Sequence, residues 1–293
     1  MAGLAPCWLS FVPYLSAMRH LRATWAAGLW LVASGCGDNK PAMQRPITLG
    51  DAAVGGDPDA APMPGATGSP RMFVPTYVYP GPEWERVIAA APMVGILVAN
   101  PADGPGSVAD PAYQDAMARA KQAGILVLGY VATFYGQRPS AEVLADINAY
   151  YDLYGPSGIF LSEGPMDTDC STMETTFLAY ANAARARDPR AFVALGTRFC
   201  PSYIYFSDLI VLFSAPQDAY DAFQPADWMP SRSPERFAHL VIGVPGEAME
   251  ATVRRARALG AGWIYVTDDG PPNPWDQLPS YFEQQLRIMA TLK

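Results

Sequence analysis

The sequence predicts a single-domain α/β protein with the (β/α)8 barrel fold over residues 71–293. Three observations carry the prediction. Short apolar runs recur eight times from residue 72 onward; they are continuous rather than alternating; and most are followed by a turn and a segment with helical caps and spacing. Continuous apolar runs suit parallel strands buried on both faces. Eight strand–helix units in about 220 residues match the count and length of such a barrel. A doubly wound open sheet is the alternative. It requires a glycine-rich phosphate turn after the first strand, and YPGPEW at 79–84 is not one.

The strands, in order, are MFVPTYVY (72–79), VGILVAN (94–100), ILVLGYVAT (125–133), GIFLSE (158–163), AFVALGT (191–197), LIVLFS (209–214), HLVIGVP (239–245) and WIYVTDD (263–269). Between the second and third, Asp110 is an N-cap followed by Pro111 at the first helical position. Tyr113, Met117 and Ala120 then recur on one face, and Gly124 ends the helix. After the fourth, Ser171 and Glu174 form a capping box ahead of Phe177 and Tyr180. After the fifth, PSYIYFSD has room for only a turn of helix. After the seventh, Met249, Val253, Ala256 and Leu259 make a stripe closed by Gly260.

Residues 1–36 read as a targeting segment. MRHLR, from a second methionine at Met18, is a basic start, and ATWAAGLWLVA (23–33) is an apolar run too short to span a membrane comfortably. ASGC, ending at Cys36, resembles a bacterial lipobox, so Cys36 is expected to carry lipid. An ordinary signal peptide cut nearby is the alternative. Residues 37–70, dominated by Gly, Pro, Ala and Asp without apolar periodicity, are expected to be a disordered tether. The expectation is therefore an exported lipoprotein, anchored at the cell surface or in the periplasm. Export favours oxidation, and a Cys170–Cys200 disulfide is expected, two separate buried thiols being the alternative.

The 293 residues are 50 % hydrophobic and 16 % charged, which fits a globular chain with a sizeable core. A net charge of −8 argues against a nucleic-acid partner, because phosphate binding needs a basic face.

In a barrel the site lies where strands end, so those ends can be searched for chemistry. Beyond the targeting segment the remaining histidine is His239, at the start of the seventh strand, the opposite end. A Ser-His-Asp triad and a histidine-ligated zinc site are thereby disfavoured. The lysines are Lys40, Lys121 and Lys293, none at a strand end, so Schiff-base and pyridoxal chemistry lack an amine. No cofactor or metal is expected.

What the strand ends hold is aromatics, amides and acids: Tyr77 and Tyr79, Asn100, Tyr130 and Tyr135 with Arg138 beyond, Glu163, and Asp268 and Asp269 with Trp275 downstream. Sugar rings have apolar CH faces and hydroxyl rims, and this set suits them. Several of the tyrosines can equally serve to close the barrel top. Glu163, where a buried strand surfaces, is the candidate catalytic acid. Asp268 is a weaker one.

VPTYVYPGPEW (74–84), VANPADGPG (98–106), LGYVATFYGQR (128–138), INAYYDLYG (147–155) with PSGIF and Glu163, and IYVTDDGPPNPWDQLPSYF (264–282) together resemble spherulation-specific family 4. The resemblance runs in order through most of residues 72–293. It implies a glycoside-hydrolase barrel and an amino-sugar polysaccharide of the galactosamine type as ligand. It also implies an Asp-Glu pair at the end of strand four and a Glu at the end of strand six. This sequence has Ser162-Glu163 and Ser214 at those places. The expectation is a retained sugar cleft, with Ser162, Ser214, Asp269 and the aromatics as binding residues, and weakened or lost hydrolysis. The alternative is an active hydrolase in which Glu163 works with a non-standard second carboxylate.

Overall fold

The computed structural model describes residues 68–165, 171–196 and 201–292. The expected targeting segment with Cys36, the expected tether up to residue 67, Cys170 and Cys200 lie outside the described residues.

All eight expected strands are present: β1 (Arg71–Thr76), β2 (Val94–Ala99), β3 (Leu126–Ala132), β4 (Gly158–Ser162), β5 (Phe192–Gly196), β6 (Leu209–Pro216), β7 (Phe237–Ile242) and β8 (Trp263–Val266). They pair in parallel in chain order, and β1 closes on β8 with Arg71 opposite Trp263. The helices are α1 (Pro82–Ala89), α2 (Pro111–Gln122), α3 (Ser140–Leu153), α4 (Ser171–Arg187), α5 (Gln217–Asp221), α6 (Gly246–Ala258) and α7 (Phe282–Met289). Among the described residues, the connection after β5 holds only a 3-10 turn, Pro201–Tyr205. Among the described residues no helix is long and apolar enough to cross a membrane.

Local chemistry accounts for the helices. The Asp110 side chain accepts from Ala112 N at 2.8 Å, with Pro111 at the first position of α2. Tyr113, Met117 and Ala120 are buried, and Gly124, at φ +87°, takes the left-handed position that ends the helix. Met249, Val253 and Ala256 are fully buried on α6. Burial of the Met249 and Val253 side chains contributes about 1.5–3 kcal/mol each.

The strand bounds differ from the apolar runs by up to three residues, and two of these differences matter here. β1 ends at Thr76, because Tyr77 leaves the ladder and donates its N–H to Trp275 O at 3.0 Å. β7 begins at Phe237, so His239 lies inside the strand rather than at its start. It is fully buried against α5, with Nδ1 2.7 Å from the Tyr220 hydroxyl.

Inside the barrel, Phe73 of β1 and Phe160 of β4 meet edge to face at 5.6 Å across the lumen. Above them the barrel opens at the C-terminal strand ends.

Candidate carbohydrate cleft

The opening is a cleft of about 230 Å³. Its floor is apolar, made of Pro75, Phe160, Val211, Leu212 and Leu240. Its polar groups are Ser162, Glu163 and Ser214, and its aromatic walls are Tyr77, Tyr135 and Trp275. Glu163 is the carboxylate that lines it among the described residues.

Two departures from regular strand geometry aim these polar groups. On β4, Phe160 and Ser162 face the lumen, so strict alternation would send Glu163 outward. Glu163 instead has φ +54°, a left-handed backbone that turns its side chain into the cleft. On β6, the register against β7 shifts between Val211 and Phe213. The extra residue, Leu212, reverses the alternation beyond it. Phe213 then packs outward on Tyr220, and Ser214 opposite Leu240 takes the cleft side. Bulges re-aim side chains in this way beside functional sites.

Left-handed backbone is uncommon for residues other than Gly, Asn and Asp, and each instance costs on the order of 1–3 kcal/mol. The strain at Glu163 is held by the β3–α3 loop. Tyr135 N donates to Glu163 O at 2.6 Å, and the buried Thr133 hydroxyl is 2.7 Å from that same oxygen and 3.0 Å from Ser162 O. Phe134 and Tyr135 are themselves left-handed, at φ +47° and +57°. On the other side, Gly164 N donates to Gly196 O at 2.7 Å. A Cβ on Gly164 would come within 2.6 Å of that oxygen, so only glycine fits there.

Burial raises the Glu163 carboxyl above its ordinary value, and the Phe134 N–H, which donates to it, pulls the other way. Its Oε2 is buried with no hydrogen-bond partner among the described residues. Burial favours the protonated form of the acid, which is the form that can donate a proton or a hydrogen bond into the cleft. Tyr130 stands just behind, edge to face with Tyr77 at 5.2 Å and hydrogen-bonded with Ser162. Burial first, and then the Glu163 charge, push its phenol up to about 12. Ser162 is thus engaged by a phenol, which is no base at neutral pH and cannot activate it as a nucleophile.

Of the residues expected at the site, Glu163, Ser162, Ser214, Tyr77, Tyr135 and Trp275 share the cleft, with Tyr130 behind it. The others are not among the lining residues. Asn100 accepts from Gly104 N at 2.8 Å and shapes the β2–α2 loop. Tyr79 is exposed and bonds Asp110. Arg138 pairs with Asp146 at 2.7 Å and donates to Ala132 O. Asp268 accepts from Ser280 through both its backbone and its hydroxyl, and Asp269 accepts from Gly270 N. The last two shape the β8–α7 loop that carries Trp275. The lining residues Pro75, Phe160 and Leu240 were not singled out from sequence. Strand alternation with Tyr77 and Ser162 was the available signal for the first two.

Comparison with known proteins agrees with this architecture. The family model for spherulation-specific family 4 matches residues 71–289. Spherulin-4 of Physarum polycephalum is 29 % identical over 238 residues, covering 76 % of this chain and 70 % of that protein. Among solved structures, Aspergillus clavatus Sph3 in complex with GalNAc superposes with a TM-score of 0.62 at 24 % identity, over 76 % of this chain and 98 % of the other. The PgaB (BpsB) glycoside hydrolase domain from Bordetella bronchiseptica gives 0.51 at 12 % identity, over 77 % and 100 %. The match across most of the barrel places the chain: it belongs to spherulation-specific family 4.

Proposed function

We propose that this barrel recognises an amino-sugar polysaccharide of the galactosamine type and that its hydrolytic capacity is weak or lost. One observation carries the reading. Among the described residues a single carboxyl, Glu163, lines a cleft whose other polar side chains are the hydroxyls of Ser162, Ser214 and the tyrosines. Glycoside hydrolysis ordinarily uses two carboxyls flanking the bond, about 5–5.5 Å apart for retention and about 6.5–9.5 Å for inversion. Neutral serines supply neither a general base nor an activated nucleophile. Aromatic walls and an apolar floor suit the CH faces of a sugar, and the hydroxyls suit its rim.

The rival reading is hydrolysis with Glu163 as general acid. It is favoured by the burial that raises the Glu163 carboxyl above its ordinary value. One experiment separates the two. The purified full chain is offered a galactosamine polymer, and bound polymer and released reducing ends are both measured. The proposal expects binding, weakened by Glu163→Gln, and little release. Release abolished by Glu163→Gln would overturn it in favour of hydrolysis, and absence of both would overturn the carbohydrate reading. The double change Ser162→Asp with Ser214→Glu is expected to raise release, because it restores acids at both cleft positions.

We further propose that the chain is exported and anchored through lipid on Cys36. Intact mass of the membrane-extracted protein tests this. An unmodified N-terminus downstream of Cys36 would refute it.

A further inference from the structure

The cleft holds about 230 Å³, below the roughly 300–1,000 Å³ of sites that enclose a drug-sized ligand. It has room for about one sugar ring, so any further ring of a polysaccharide must rest on the rim. Phe134 neighbours the opening through its backbone, which bonds to Glu163. It is 54 % exposed, and its ring has no aromatic or cationic partner among the described residues. It is the neighbour of Tyr135, which lines the cleft, and its own N–H donates to the Glu163 carboxyl.

Folding does not account for this side chain. Phe134, Tyr135 and Gly136 form a left-handed run at φ +47°, +57° and +80°. Glycine and asparagine fill such positions with less strain than a bulky aromatic, and an exposed ring regains little of the difference through packing. Strained backbone of this kind clusters at ligand sites. What the ring does offer is an apolar face, held out by a short loop bonded to Glu163 and Ser162.

We propose that Phe134 is a stacking platform for a second sugar ring, adjacent to the ring held at Glu163, so that the site is built for a chain of at least two sugars. This rests on the carbohydrate reading above. The ligand class is the same, and the new element is a subsite outside the cleft. The Phe134 N–H donates to the Glu163 carboxyl, which ties the loop that carries the ring to the acid.

Calorimetric titration of the full chain with GalNAc and with a GalNAc tetrasaccharide tests the inference, using wild type, Phe134→Asn and Phe134→Trp. Asparagine tolerates the left-handed backbone and removes the ring. Wild type is expected to prefer the tetrasaccharide. Phe134→Asn should weaken tetrasaccharide binding by about 5- to 10-fold, leave GalNAc binding within about twofold, and melt at the wild-type temperature. Phe134→Trp should retain the preference. Unchanged tetrasaccharide binding in Phe134→Asn, or equal loss for both sugars, would overturn the platform while leaving the cleft reading intact. If neither sugar binds wild type, the carbohydrate reading falls and the platform with it.

Discussion

The Thr133 hydroxyl lies 2.7 Å from the carbonyl oxygen of Glu163, thirty residues away in sequence, and 3.0 Å from that of Ser162. Thr133 is buried and does not line the cleft. It acts on the site by holding the left-handed turn that carries the acid. Thr133→Val keeps nearly the same volume and removes the donor. The expected cost is about 1–2 kcal/mol of stability, with weaker galactosamine-polymer binding as Glu163 drifts. Thr133→Ser should recover both. Chemical denaturation and a binding titration check this. Normal affinity in Thr133→Val would detach Thr133 from the site.

Glu163 should cost the fold stability at neutral pH. Burial raises its folded carboxyl above the unfolded value of about 4.5. The protonated form is therefore favoured in the folded state. The associated stability is fully present below about pH 4.5 and is lost as pH rises through the folded value. Glu163→Gln should be more stable than wild type at pH 7 and lose that advantage as pH falls toward 4.5, while binding polymer less well. Melting temperatures of both proteins from pH 4 to 8 test the sign. An equal gap at every pH would exclude this origin.

His239 acts in the opposite direction. Burial lowers it from 6.5 to about 3, so it stays neutral in the fold, with Nδ1 against Tyr220. Its stability is present above pH 6.5 and is lost as pH falls toward 3, by up to about 1.4 kcal/mol per pH unit. Urea midpoints should fall through this range in wild type and fall less steeply in His239→Phe. Parallel slopes would contradict the assignment.

Cys170 and Cys200 are proposed to form a disulfide between the loops that follow β4 and β5. Closing a loop of about 30 residues should stabilise the domain by on the order of 3–4 kcal/mol. Under oxidising conditions no free thiol should titrate at either position, and Cys200→Ser should lower the melting temperature. Two titratable thiols in the oxidised protein would exclude the bridge.

The sequence by itself determined the barrel. Continuous apolar runs, the Asp110-Pro111 cap and the glycines after α2 and α6 act over a few residues, and each agrees with the parallel sheet around it. It also placed Ser162 and Glu163 where a buried strand surfaces, and Tyr77 and Trp275 nearby. It did not determine which way those side chains point. Alternation would have turned Glu163 out of the cleft, and an unbulged β6 would have turned Ser214 out. The tertiary structure decided both, because a positive φ at Glu163 and an extra residue at Leu212 are fixed by partners far away in the chain. Those partners are Thr133 and Tyr135 for the first and the register of β7 for the second. Asn100 and Asp268 illustrate the same limit. Both are expected at strand ends, but β2 and β8 stop short of them, at Ala99 and Val266, and their side chains are drawn into hydrogen bonds that shape their own loops. A strand end fixes where a residue is; long-range hydrogen bonds fix what it faces.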